Sequence, residues 1–137
     1  MEVTSYRDLR VWKESMHLVV AIYRTVAGFP KEEMYGVTSQ IKRSAISIPS
    51  NIAEGHARDS TREFLRHLSI SQGSLAELET QLMLTGELGY LNPSHIDPLL
   101  SRCADVGKMI RGLQKSLREK LEAPGSRIRD SSKSYDI

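Results

Sequence analysis

A single cysteine, Cys103, is all the thiol chemistry in this chain. That excludes an internal disulfide framework and suits a reducing cytosol. Aromatic residues fill only 6% of the 137 positions, while leucine, glutamate, arginine and serine are plentiful. Such a composition favours helices over sheets. No apolar run approaches the ~20 residues that span a bilayer. The opening MEVTSYRDLRVWKES alternates charged and apolar residues and lacks the basic-then-apolar order of a signal peptide. Charge of one sign is also scarce, since the net charge is only +2. Bulk electrostatics therefore says little about partners, and the local arrangement of charge has to be read instead. Zinc-finger spacing, a glycine-rich phosphate loop and an aromatic stacking platform are all missing. The expectation is one soluble cytoplasmic domain, long enough to bury about two thirds of its unfolded surface.

What the sequence does contain is helical periodicity, in four segments. The first runs from about Tyr6 to Ala27, with Leu9, Trp12, Met16, Val19, Tyr23 and Val26 three and four apart. Val11, Leu18 and Ile22 form a second stripe beside it. Trp12 lies on the apolar seam and is read as core rather than as a base-stacking residue. GFPKEE supplies a stop, a turn and the acidic residues that suit a helix start.

The second segment reaches from about Glu32 to His56. Ile41, Ala45, Ile48 and Ile52 keep helical spacing straight through Pro49. An interior proline costs roughly 3 kcal/mol or more in lost hydrogen bonding and steric clash, so this helix is expected to be kinked at Pro49 rather than ended there. Ser60 with Glu63 matches a capping box and opens a third helix, from about Thr61 to Leu88. Leu68, Leu75, Leu78 and Leu82 form its seam, and Ile70 and Leu84 lie off that seam. Asn92 and Pro93 cap and start a fourth helix to about Glu122. Its apolar positions Leu99, Cys103, Val106, Ile110, Leu113, Leu117 and Leu121 give the cleanest period in the chain. Residues 123–137, rich in serine with Pro and Gly, are expected to be a disordered tail. The predicted fold is all-α: residues 1–122 as an antiparallel up-down-up-down four-helix bundle.

Three groups of residues are candidates for function. Arg43, Ser47, Asn51 and Glu54 follow at intervals of four, four and three and share a face of the second helix. Glu77 lies one turn beyond Gly73 and Ser74 on the third helix, and Gly73 would let another helix approach. This set reads either as a polar pocket or as a buried network. In the network, Arg43 meets Glu54 or Glu77, while Ser47 and Asn51 satisfy groups freed by Pro49. The second group is basic. Lys108, Arg111, Lys115 and Arg118 lie three, four and three apart, centred about 150° from the leucine seam at 100° per residue. Arg58, Arg62 and Arg66 make another row at the second-to-third helix junction. Such rows suit phosphates, or are simply solvated helix faces. The third group is catalytic in type but incomplete. Glu63 and His67 stand four apart with no second copy of the pattern, His17, His56 and His95 are scattered, and Ser74 lacks a hydrolase elbow. No metal, cofactor or catalytic residue is expected.

The segments QIKRSAISIPSNIAEG and GSLAELETQL resemble the four-helix-bundle proteins encoded in intervening sequences of bacterial 23S ribosomal RNA genes. YRDLRVWKES, FPKEEMYG and REFLRHLSISQGS resemble the same family, over roughly residues 5–120. The resemblance implies a bundle that assembles as a ring of five subunits. It also implies kinship with accessory proteins of diversity-generating retroelements, which work beside a reverse transcriptase. Two functions follow as expectations. One is a non-enzymatic homo-oligomer that binds RNA or DNA through its basic faces with little sequence specificity. The other is a scaffold that docks another protein. The two-sided apolar surfaces of the first and third helices point separately to oligomerisation.

Overall fold

The computed structural model describes residues 5–123; the expected tail, residues 123–137, falls outside that range apart from Ala123. Four α-helices account for most of the described residues: α1 (Arg10–Val26), α2 (Val37–Ala57), α3 (Thr61–Glu87) and α4 (Pro93–Glu122). No strand occurs among the described residues. Each helix packs on two others, α2 most extensively on α3, and the backbones of the diagonal pairs, α1 with α3 and α2 with α4, nowhere bring Cα atoms within 8 Å. The four therefore enclose one core, as in a bundle. Where α2 meets α3, the pairing runs in opposite directions along the two helices. Gly55 faces His67 and Phe64, Asn51 meets His67, and Ser47 meets Ser74.

The helix ends follow from local chemistry. The Ser60 hydroxyl accepts the Glu63 amide at 3.2 Å, and Asn92 Oδ1 accepts the His95 amide at the same distance. Both satisfy donors that a helix start leaves free. Two boundaries differ from the periodic reading. A one-turn 3-10 helix, Tyr6–Asp8, carries its own capping box from Ser5, and extended Leu9 separates it from α1. Leu9 is fully buried, so the apolar period continues across a break in the backbone. Likewise Lys31–Glu33 is a separate 3-10 turn, and α2 starts only after Gly36.

Burial separates the two stripes of α1. Val11, Leu18 and Ile22 belong to the core, with Leu9 and Val26. Met16 and Tyr23 of the longer stripe are exposed, at 39% and 37%. Trp12 is half-buried at the edge of the core, with its ring edge-on to Tyr6 at 5.4 Å. On α3 the Leu68, Leu75, Leu78 and Leu82 seam is buried, and Ile70 and Leu84 face outward. Every apolar member of the α4 seam from Leu99 to Leu117 is buried. α2 continues as α-helix through buried Pro49.

Candidate functional site

On α4 the buried seam dictates what the opposite face can be. With the leucines inward, a helix of 3.6 residues per turn turns Lys108, Arg111, Lys115 and Arg118 to solvent, and all four are exposed. None forms an ion pair within 4.0 Å with a carboxylate among the described residues. The Arg111 side chain folds back along the helix, so that Nη1 would stand 3.3 Å from a Cβ at Gly107. Beside it Gly112 is bare, and a methyl added there would meet nothing within 4 Å. This face offers four cations without an ion-pair partner within 4.0 Å, with the exposed Glu119 carboxylate one turn beyond Lys115.

The second basic row is different. Arg58 Nη2 lies 3.1 Å from Glu54 Oε1, and Arg66 Nε lies 2.8 Å from Glu63 Oε2. The hydrogen bond from Arg66, reinforced by its charge, holds the Glu63 carboxyl below its ordinary value. Such exposed pairs contribute little stability, but they cancel charge that phosphate would otherwise meet. Of the three arginines only Arg62, also exposed, has no carboxylate within ion-pair distance among the described residues. The helical period joins only Arg62 and Arg66: Arg58 lies on the extended C-cap of α2, before α3 begins, and the period does not reveal the carboxylates beside Arg58 and Arg66.

The polar face of α2 joins α3 through a hydrogen-bond chain whose direction can be assigned. Arg66 Nη2 lies 3.4 Å from His67 Nε2, and a guanidinium only donates. His67 therefore accepts at Nε2 and carries its proton on Nδ1, which donates to Asn51 Oδ1 at 3.1 Å. Asn51 Nδ2 then donates to the Ser47 hydroxyl at 3.0 Å and to the Ser47 carbonyl at 2.9 Å. Ser74 donates to the same Ser47 hydroxyl at 2.7 Å. Buried Ser71 closes the seam with a bond to the Ile48 carbonyl at 3.0 Å. These donors reach the carbonyls of Ser47 and Ile48, beside the Ala45 carbonyl that Pro49 deprives of its usual donor.

Ser47 and Asn51 are thus brought together, and Ser74 with them. Arg43 and Glu77 are both exposed and make no ion pair with each other; Glu54 turns to Arg58 and lies 4.0 Å from His67. His67 and Ser71, central to the network, are not among the residues the α2 period selects. His67 enters the sequence reading only as a partner for Glu63. The close helix approach expected at Gly73 occurs elsewhere. Nothing lies within 4 Å of a Cβ at Gly73, whereas one at Gly55 would sit 2.6 Å from His67 Cβ. Gly73 points outward because Ser74 and Leu75 occupy the inward positions of that turn.

A further groove, of about 750 Å³, runs between α1 and α4. Arg24 and Arg102 line it together with Glu14, His17 and Asp105 over a floor that includes Val106. No motif marks it, because its walls come from helices at opposite ends of the sequence. Cys103 is buried, and desolvation pushes its thiol up to about 12. Among the described residues no group of three or more His, Cys, Asp or Glu is placed to hold a metal ion. No helix among them is long and apolar enough to cross a membrane.

Residues 7–112 match the family model described as 23S rRNA-intervening sequence protein. Among solved structures the chain is similar to a protein of unknown function from the S23 ribosomal protein family of Bacteroides thetaiotaomicron VPI-5482. The two superpose with a TM-score of 0.70 at 23% identity, over 77% of this chain and 99% of the other, a likeness of fold. No curated protein matches.

Proposed function

Since the chain belongs to the 23S rRNA-intervening sequence protein family, we propose that it is a non-enzymatic, cytoplasmic homo-oligomer that binds RNA or DNA through the outer face of α4. The observation that carries this reading is the row Lys108, Arg111, Lys115 and Arg118, exposed along three turns of one helix and without an ion-pair partner within 4.0 Å among the described residues. Phosphates spaced along a nucleic-acid backbone meet such a row by charge alone. Binding of that kind orients the partner without reading bases, so little sequence preference is expected. The Arg58–Arg66 row is a weaker contributor, because Glu54 and Glu63 already engage two of its arginines.

Assembly would repeat each row by the number of subunits, five on the family resemblance. Exposed Met16, Val20 and Tyr23 on α1, with Ile70, Met83 and Leu84 on α3, support assembly, because apolar surface of this kind is normally covered. The same residues favour the second reading, a scaffold that docks another protein.

The test is retention of labelled RNA by the full chain over a salt series. Binding at about 50 mM salt that weakens steeply as salt rises is expected. Changing all four α4 residues to glutamine should flatten the slope of log affinity against log salt. Absence of retention at low salt, or a slope unaltered by the substitutions, refutes the assignment. A single protein partner that co-purifies after nuclease treatment would favour the scaffold instead.

A further inference from the structure

Between α2 and α3 lies a second groove, of about 370 Å³, lined by polar residues whose carbon atoms supply part of its surface. That volume falls within the ~300–1,000 Å³ of small-molecule sites. With a polar side chain at every lining position, a ligand there can be held by hydrogen bonds and charge.

The two walls are opposite in kind. On α2, Arg43 offers a guanidinium with no carboxylate at ion-pair distance among the described residues. Ser47 offers a hydroxyl proton: its oxygen already accepts from both Asn51 and Ser74, so the hydrogen is left to donate outward. Ser44 adds a second hydroxyl to the same wall. On α3, Glu77 presents a carboxylate, and Gln81 stands one turn on along the same wall. Donors on one wall and acceptors on the other match a molecule carrying an anion and a cation a few bonds apart.

We infer that the α2/α3 groove binds a free α-amino acid, its carboxylate on Arg43, Ser44 and Ser47 and its ammonium on Glu77. The chain from Arg66 through His67 and Asn51 fixes the polarity of this site, because it consumes the acceptor capacity of Ser47 and frees its proton. The inference is independent of nucleic-acid binding on α4, a different face.

The experiment is an NMR titration of the full, 15N-labelled chain with L-glutamine up to about 10 mM, where a ligand held by a few charge-assisted hydrogen bonds should bind. Saturable shifts are expected at the backbone amides of Ser44, Ser47, Ser74 and Gln81. The deaminated and decarboxylated analogues should each bind about tenfold more weakly, as should L-glutamine to Arg43→Gln and to Glu77→Gln. Both substitutions are at exposed side chains and leave the core intact. Three results would overturn the inference: no saturable shift at these amides, equal binding of the singly charged analogues, or equal binding by both variants. So would groove shifts that follow protein dilution instead of L-glutamine, since a second copy of the chain would then be the occupant.

Discussion

Replacing Gly55 with alanine tests the α2–α3 packing most directly. In a helix interior alanine is favoured over glycine by about 1 kcal/mol, so propensity alone makes the change stabilising. Packing opposes it. The added methyl would lie 2.6 Å from His67 Cβ and 3.0 Å from Phe64 Cδ1, whereas carbon atoms settle at roughly 3.5–4.0 Å. The helices must therefore part by about 1 Å at this point, and His67 Cβ, one bond from the backbone, cannot swing aside. Overpacking of this kind costs about 1–3 kcal/mol. Moving His67 also stretches its 3.1 Å bond to Asn51, a further cost of about 1 kcal/mol. The sum is a net loss of about 1–3 kcal/mol, or about 3–10 °C in Tm for a chain of this size. Gly73→Ala and Gly112→Ala are the controls: neither methyl would meet anything within 4 Å, so each should gain about 0.5–1 kcal/mol. Circular dichroism melts at one fixed protein concentration read all three, the concentration being held because assembly shifts Tm. A Gly55→Ala protein as stable as the parent, or controls that lose as much, would refute the packing argument.

Four other outcomes follow from the same geometry. Ser60→Ala removes the acceptor for the Glu63 amide and should lower stability by about 1 kcal/mol in urea unfolding; an unchanged midpoint contradicts the cap. Glu63 has its carboxyl held down by Arg66, so its pairing contributes above the unfolded carboxyl value and is lost as pH falls through the lower folded one. The Tm difference between parent and Glu63→Gln should accordingly shrink on acidification below the ordinary carboxylate range, and a difference that widens there has the wrong sign. Cys103, buried with its thiol pushed up to about 12, should resist alkylation at pH 8 in the folded protein and react when urea unfolds it; rapid labelling without denaturant would show the seam to be open. Ile110→Ala, at a fully buried α4 position, should cost about 2–5 kcal/mol, checked by the same unfolding midpoint.

Much of the fold was legible in the linear order of residues. The starts of α3 and α4 follow from Ser60, Asn92 and Pro93, whose capping chemistry acts over three residues and needs no tertiary partner. The seam from Leu99 to Leu117 is equally plain, because angular position on a helix is fixed by spacing alone. The break at Leu9 was hidden for the converse reason: burial of Leu9 preserves the apolar period while its backbone is extended. The α4 cations could be placed opposite the leucines, and they are exposed. The α2 polar face was legible as a face, but its partners were not.

By itself, then, the sequence determined which segments are helical, where α3 and α4 begin, and which positions share a face. These properties are set within a few residues along the chain. Only the tertiary structure decided the rest. It chose Val11, Leu18 and Ile22 over Met16 and Tyr23 as the core face of α1. It put the tight helix contact at Gly55 instead of Gly73, and it joined Ser47 and Asn51 to His67 and Ser74 while leaving Arg43 and Glu77 apart across a groove. The physical reason is the same in each case: periodicity gives a direction around one helix axis, and what lies in that direction depends on how a second helix is rotated and offset against it.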